Sequence, residues 1–292
     1  MSPAAQPRRA HQPRRGAALL ALSALFFALM GVCVREATAL QVNNENVVFF
    51  RNVVGVLFFL PLALTRGLAP LHTARPLAHL KRSLCGLAAM YCYFYALARL
   101  PLTDAMLFSY AAPVFTPLIA RWWLKEALTR RMLLATAVGL AGVVLVAKPS
   151  GALISGIALV GILSSIMAAC AFVSIREMSD SEPAFRIVFY FALFSALISA
   201  IPLLWAWQPL QREQLVILLL AGLMASFGQL SMSKAYACAP PGLIGPVAYL
   251  AIVFAGIIAW LRWGETPGST SLLGAGLIFA ASLIPLLRRR PA

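Results

Sequence analysis

A chain of 292 residues that is 61% hydrophobic and 11% charged is too apolar for a water-soluble domain, in which about a quarter of residues are charged. A net charge of +15 would suit nucleic acid, but the cations lie in alternate connections between apolar blocks, not on one patch. Those blocks are long enough to cross a hydrocarbon core about 30 Å thick, and they lack the two-residue alternation of a membrane barrel.

Residues 1–16, rich in Pro, Arg and Gln, are expected to form a disordered cytoplasmic tail. The first helix is expected over 17–36. Arg14-Arg15 before it and Ala37-Thr38-Ala39 after it resemble a signal peptide, but the apolar run is longer than a usual signal core. It also has an internal counterpart, so it reads as a retained helix. Helices over 47–65, 82–99, 103–124 and 132–148 complete a first unit spanning 17–148. Helices over 153–175, 186–206, 214–237, 242–262 and 270–287 fill a second unit, 149–292, which ends in a short basic tail.

The two units are copies. Residues 96–148 align without a gap onto 235–287, matching Pro101 with Pro240, Tyr110 with Tyr249 and Glu126 with Glu265. Upstream, Arg35-Glu36 answers Arg176-Glu177, and Ser23, Ala28 and Val32 answer Ser164, Ala169 and Val173. Five helices per copy is an odd number, so the second copy enters the membrane from the opposite side. Charge agrees: Arg121, Lys125, Arg130 and Arg131 flank one copy of a turn, and Arg262 alone flanks the other. With the N-terminus inside, eighteen of the 24 Lys and Arg fall on the cytoplasmic side, Arg82 among them. The expected fold is therefore all-α, with ten transmembrane helices in two inverted five-helix repeats and both termini cytoplasmic. Such repeats keep the substrate site between them.

Chemistry other than transport finds no support. The five cysteines are odd in number and without a CxxC pair, and no metal or cofactor is expected. There is no phosphate loop, G-x-S-x-G or H-E-x-x-H, so an enzyme is not expected.

The expected helices carry no ionisable residue near their middles, which argues against a buried proton relay. If transport is coupled to protons, Glu36 and Asp104 near the outer ends and Glu177 near the inner one are the candidates. Tyr110 and Tyr249 lie symmetrically in the two copies, each near a proline, and offer a stacking face and one hydrogen bond to a polar solute. The alternative is that they glue helices together. Ser226, Gln229 and Ser233 share a face of the eighth helix with Gly222, and Tyr91 and Tyr95 share a face of the third. A cavity between an amide-and-hydroxyl wall and a phenol wall would suit zwitterionic or aromatic metabolites. Arg51 either draws in a carboxylate, clamps a gate with Glu36, or marks a helix end.

Both halves resemble the EamA-type unit of the drug/metabolite transporter superfamily. The likeness rests on the turns Ala96-Leu97-Ala98-Arg99-Leu100-Pro101 and Ala235-Tyr236-Ala237-Cys238-Ala239-Pro240, each followed by a proline-bearing helix ending near Glu126 or Glu265. The second half departs from the pattern, with Pro240-Pro241 and Pro246 in place of Pro113 and Pro117. The resemblance implies a bacterial inner-membrane carrier with a cavity between the halves. Family substrates include amino acids, nucleosides, vitamins and amino-acid-derived metallophores such as pseudopaline. Export is the expected direction and import of a vitamin or nucleoside the alternative, with a channel more remote.

Overall fold

Among the described residues, pattern and punctuation along the chain produce ten α-helices of 13 residues or more in the computed structural model. It describes residues 12–61, 65, 67, 69–97, 99, 108, 110–147, 156–264, 266 and 268–284. The first five are α1 (Pro13–Ala39), α2 (Asn44–Leu57), α3 (Pro76–Leu97), α4 (Ala112–Leu124) and α5 (Arg130–Ala147). The second five are α6 (Gly156–Met178), α7 (Ala184–Ser199), α8 (Arg212–Cys238), α9 (Leu250–Trp263) and α10 (Ser269–Leu283). No strand occurs among the described residues.

Among the described residues, four segments are long and apolar enough to cross a membrane by themselves: Pro13–Ala39, Gly156–Met178, Arg212–Cys238 and Pro241–Trp263.

Helix limits differ from expectation where proline and caps intervene. Proline at the first helical position costs no hydrogen bond, so α1 starts at Pro13 and not at 17. For the same reason α3 starts at Pro76, six residues before the expected 82. The α2 helix is opened by the Asn43 side chain, which accepts from the Asn46 amide at 3.0 Å. It ends at Leu57, four residues before Pro61, whose ring would clash with that carbonyl. Pro202 limits α7 in the same way. Pro246 breaks the expected 242–262 helix into a short helix (Pro241–Ile244), a 3-10 turn (Gly245–Tyr249) and α9.

Packing follows the internal repeat. The neighbours α1–α8, α1–α9 and α2–α8 are mirrored by α6–α3, α6–α4 and α7–α3, and α2–α7 and α5–α10 are each a helix against its own counterpart. The symmetry reaches single hydrogen bonds. Ser23 Oγ donates to the Gly228 carbonyl at 2.8 Å, and its counterpart Ser164 Oγ donates to the Ala89 carbonyl at 2.8 Å. The α1 and α8 helices run antiparallel, with the Gln12 amide bonded to the Cys238 carbonyl at one end. At the other end the Gln214 side chain donates to the Leu40 carbonyl.

The α5–α10 seam is tighter still. A Cβ on Gly142 would lie 2.6 Å from the Gly274 oxygen, and one on Gly274 would lie 2.6 Å from the Gly142 oxygen. Only glycine permits that approach. The α4 and α9 helices end alike, in left-handed residues at equivalent positions: Lys125 at φ 55° and Gly264 at φ 69°.

Candidate functional site

Four helices, α2 and α3 from the first half and α7 and α8 from the second, pack around a group of buried polar side chains. Its centre is Arg82. Because α3 begins at Pro76, Arg82 stands about 9 Å up the helix at 1.5 Å per residue and not at its first residue, where the expected 82–99 helix put it. It is 3% exposed.

The guanidinium is held from three sides. Its Nη2 donates to Gln229 Oε1 on α8 at 3.1 Å. Its plane lies over the Phe191 ring of α7, 4.1 Å from the centroid. Gly86, one turn along α3, leaves the space: a Cβ there would sit 2.6 Å from Nη1 and 2.8 Å from the Phe191 ring. Nε and Nη1 have no hydrogen-bond partner among the described residues.

Arg51 on α2 is half-buried and likewise makes no hydrogen bond or ion pair with a described residue. Its helix packs against both α7 and α8, which carry Phe191 and Gln229. Beside Arg51, Asn52 is buried, and its Nδ2 has no partner among the described residues. Ser195, one turn beyond Phe191, and Ser233, one turn beyond Gln229, are buried hydroxyls likewise without a described partner. Ser226 satisfies itself, donating to the Gly222 carbonyl at 2.7 Å, and its Oγ lies 3.7 Å from where a Gly55 Cβ would be.

Tyr110, Tyr249, Tyr91 and Tyr95 are not part of the Arg82 group. Tyr249 is fully buried with its ring on Gly139, in a cluster with Val143, Ile252 and Ile278, and Tyr110 packs against the same cluster. The two are together, at the α5–α10 seam, in a cluster that shares no residue with the Arg82 group. Tyr91 and Tyr95 are 37% and 45% exposed, and the Arg99 guanidinium covers the Tyr95 ring at 3.8 Å. It is Tyr93, off their face, that packs inward against Ala96, Phe108 and Ala158.

Glu36 meets Arg262 at 3.6 Å and not Arg51, so the expected Arg51–Glu36 clamp is not formed. Asp104 lies outside the described residues. Glu177 faces Arg75 at 3.5 Å and Lys81 at 3.8 Å, and Glu126 faces Arg176 at 3.3 Å. In the turn after α6, Glu182 accepts from Thr73 Oγ1 at 2.6 Å and from Arg186 Nη1 at 2.7 Å. Burial opposes its charge, but those hydrogen bonds and the Arg186 and His79 charges outweigh burial and hold the carboxyl below its ordinary range. Among the described residues no three His, Cys, Asp or Glu converge as a metal site would require.

An apolar groove of about 270 Å³ between α2 and α7, lined by Phe49, Val53, Leu57, Leu193 and Leu197, has no polar lining. Leu57 and Leu197 are exposed, so it reads as a surface for lipid tails.

Helical halves that exchange partners symmetrically around a polar interior define a carrier of the two-repeat kind. The chain belongs to the EamA-like transporter family, whose pattern matches residues 14–148 and again 155–287. It is therefore a membrane transporter and not an enzyme. It is 32% identical over 273 residues to the pseudopaline exporter of Pseudomonas aeruginosa strain UCBPP-PA14, covering 92% of this chain and 95% of that one. It is 26% identical over 252 residues to the S-adenosylmethionine uptake transporter of Rickettsia bellii, covering 86% of this chain and 87% of that one. A solved crystal structure, 16% identical, shares the fold at a TM-score of 0.81 over 94% of this chain and 96% of the other.

Proposed function

We propose that the chain is a secondary carrier of the bacterial inner membrane that exports an amino-acid-like zwitterion or an amino-acid-derived metallophore. In this reading all ten helices cross the bilayer, the halves are inverted, both termini are cytoplasmic, and the halves rock about a polar interior. The observation that carries it is the composition of that interior. Arg51, Asn52 and Arg82 come from one half, Phe191, Ser195 and Gln229 from the other, and several of their polar atoms are buried without partners. Membrane proteins put unsatisfied polar groups at depth where a solute passes. The 32% identity to an exporter favours outward transport.

A second reading, uptake of a nucleoside-like solute, draws on the likeness to the S-adenosylmethionine uptake transporter. An untargeted comparison of metabolites inside and outside cells, with the gene deleted and overexpressed, separates the two. Export requires a solute that accumulates inside on deletion and outside on overexpression. The reverse pattern supports uptake, and flux without saturation in proteoliposomes would point to a channel.

A further inference from the structure

We propose that Arg51 and Arg82 form the anion subsite of the carrier, where a carboxylate of the transported solute accepts the hydrogen bonds that Gln229 leaves open. This deepens, and rests on, the transporter reading above.

Arg82 lacks a counter-charge among the described residues. A guanidinium carries five N–H donors in a planar fork, and Gln229 accepts from one of those on Arg82. Phe191 orients the plane but accepts no conventional hydrogen bond. No described carboxylate pairs with either arginine: Glu36, Glu126, Glu177 and Glu182 are engaged by Arg262, Arg176, Arg75 and Arg186. A cation buried without a counter-charge is strongly unfavourable.

Such an arrangement persists when an absent anion completes it. The open donors of the Arg82 fork suit a planar carboxylate, which accepts two parallel hydrogen bonds from it, and Arg51 on α2 would supply a second fork. The unpaired Asn52 amide and the Ser195 and Ser233 hydroxyls supply neutral contacts for the rest of the solute. Because Arg82 belongs to the first half while Phe191 and Gln229 belong to the second, an anion on Arg82 would bind where the halves meet.

A purely structural role for the arginines predicts something different. If they only tie helices together, neutralising Arg82 loosens the bundle. If they await a substrate anion, Arg82→Met removes an uncompensated charge, and the empty protein is as stable as wild type or more so.

The full-length protein in detergent is tested first by thermal unfolding with glutarate and, as the uncharged control, glutaramide. Glutarate should raise the wild-type Tm and glutaramide should not. In Arg51→Gln and Arg82→Gln the glutarate effect should weaken at least about tenfold in apparent affinity, the loss of a charge-assisted hydrogen bond pair. Equal response to both probes, or an unchanged glutarate response in both variants, overturns the subsite. An Arg82→Met protein clearly less stable than wild type, with no probe response in wild type, does so too.

Proteoliposomes loaded with a cell metabolite extract give the second readout. Wild type should release solutes bearing carboxylates and should not release the same solutes after conversion to methyl esters. Release indifferent to esterification overturns the subsite while leaving the transporter reading intact. A glutarate response that depends on both arginines, without any release, upholds the subsite and refutes the carrier reading.

Discussion

Substituting Gly274 by alanine tests how closely the tenth helix lies against the fifth. The added Cβ would sit 2.6 Å from the Gly142 carbonyl oxygen, where ordinary contact begins near 3.4 Å, so the helices must part by about 0.8 Å. That oxygen belongs to backbone and has no rotamer by which to escape. Overpacking of this kind costs about 1–3 kcal/mol. Losing a close Cα–H to oxygen contact adds about 0.5–1 kcal/mol. Alanine's better helix propensity returns about 0.8–1 kcal/mol, which leaves a net loss of about 0.5–3 kcal/mol. Gly276, on the same helix, has nothing within 4 Å of its would-be Cβ, so Gly276→Ala keeps only the propensity gain. Unfolding followed by tryptophan fluorescence in detergent should therefore place the two variants on opposite sides of wild type. Equal midpoints for Gly274→Ala and Gly276→Ala would refute the tight seam.

Lys125→Gly should stabilise by about 0.4–1 kcal/mol, because it relieves a left-handed lysine at φ 55°; Gly264→Ala at the equivalent turn should lose about 1–2 kcal/mol, both read as unfolding midpoints. Ser23→Ala and Ser164→Ala should cost similar amounts, about 0.6 kcal/mol each, and the double variant should show their sum. Unequal losses would break the symmetry argument. For Glu182 the folded carboxyl titrates below its unfolded value near 4.3, so its stabilisation is present above about that pH and is lost as pH falls through the folded pKa. The Tm gap between wild type and Glu182→Gln should accordingly close in acid, and a gap that persists there would contradict the network of Thr73 and Arg186.

The sequence made the fold class legible because apolar blocks, a gapless internal repeat and its quoted turns survive in one dimension. It also made Gln229 legible as a site candidate, since its neighbours Ser226 and Ser233 repeat at helical spacing. Arg82 escaped notice for a physical reason. An arginine next to Lys81 and a proline-rich loop reads as interfacial, and only the six residues from Pro76 to Lys81 carry it inside. The signal was available in Pro76, which opens helices well. The symmetric tyrosines show the opposite difficulty: symmetry places Tyr110 and Tyr249 in one cluster, but it does not say whether that cluster faces the polar interior or the seam. The partner of Glu36 was likewise out of reach, because Arg51 is its neighbour in sequence and Arg262 its neighbour in space.

The exchanged pairing of α1 with α8 and of α6 with α3 also bears on ancestry. Each copy's first helix lies against the other copy's third, with the same serine-to-carbonyl bond closing both contacts. A single copy on its own would leave both of those surfaces bare. Two separate copies would cover both surfaces by pairing about a two-fold axis, each first helix on the other's third. Duplication and fusion then freed each copy to specialise, and the charge and side-chain differences between the halves, Lys125 against Gly264 among them, are the record of that freedom.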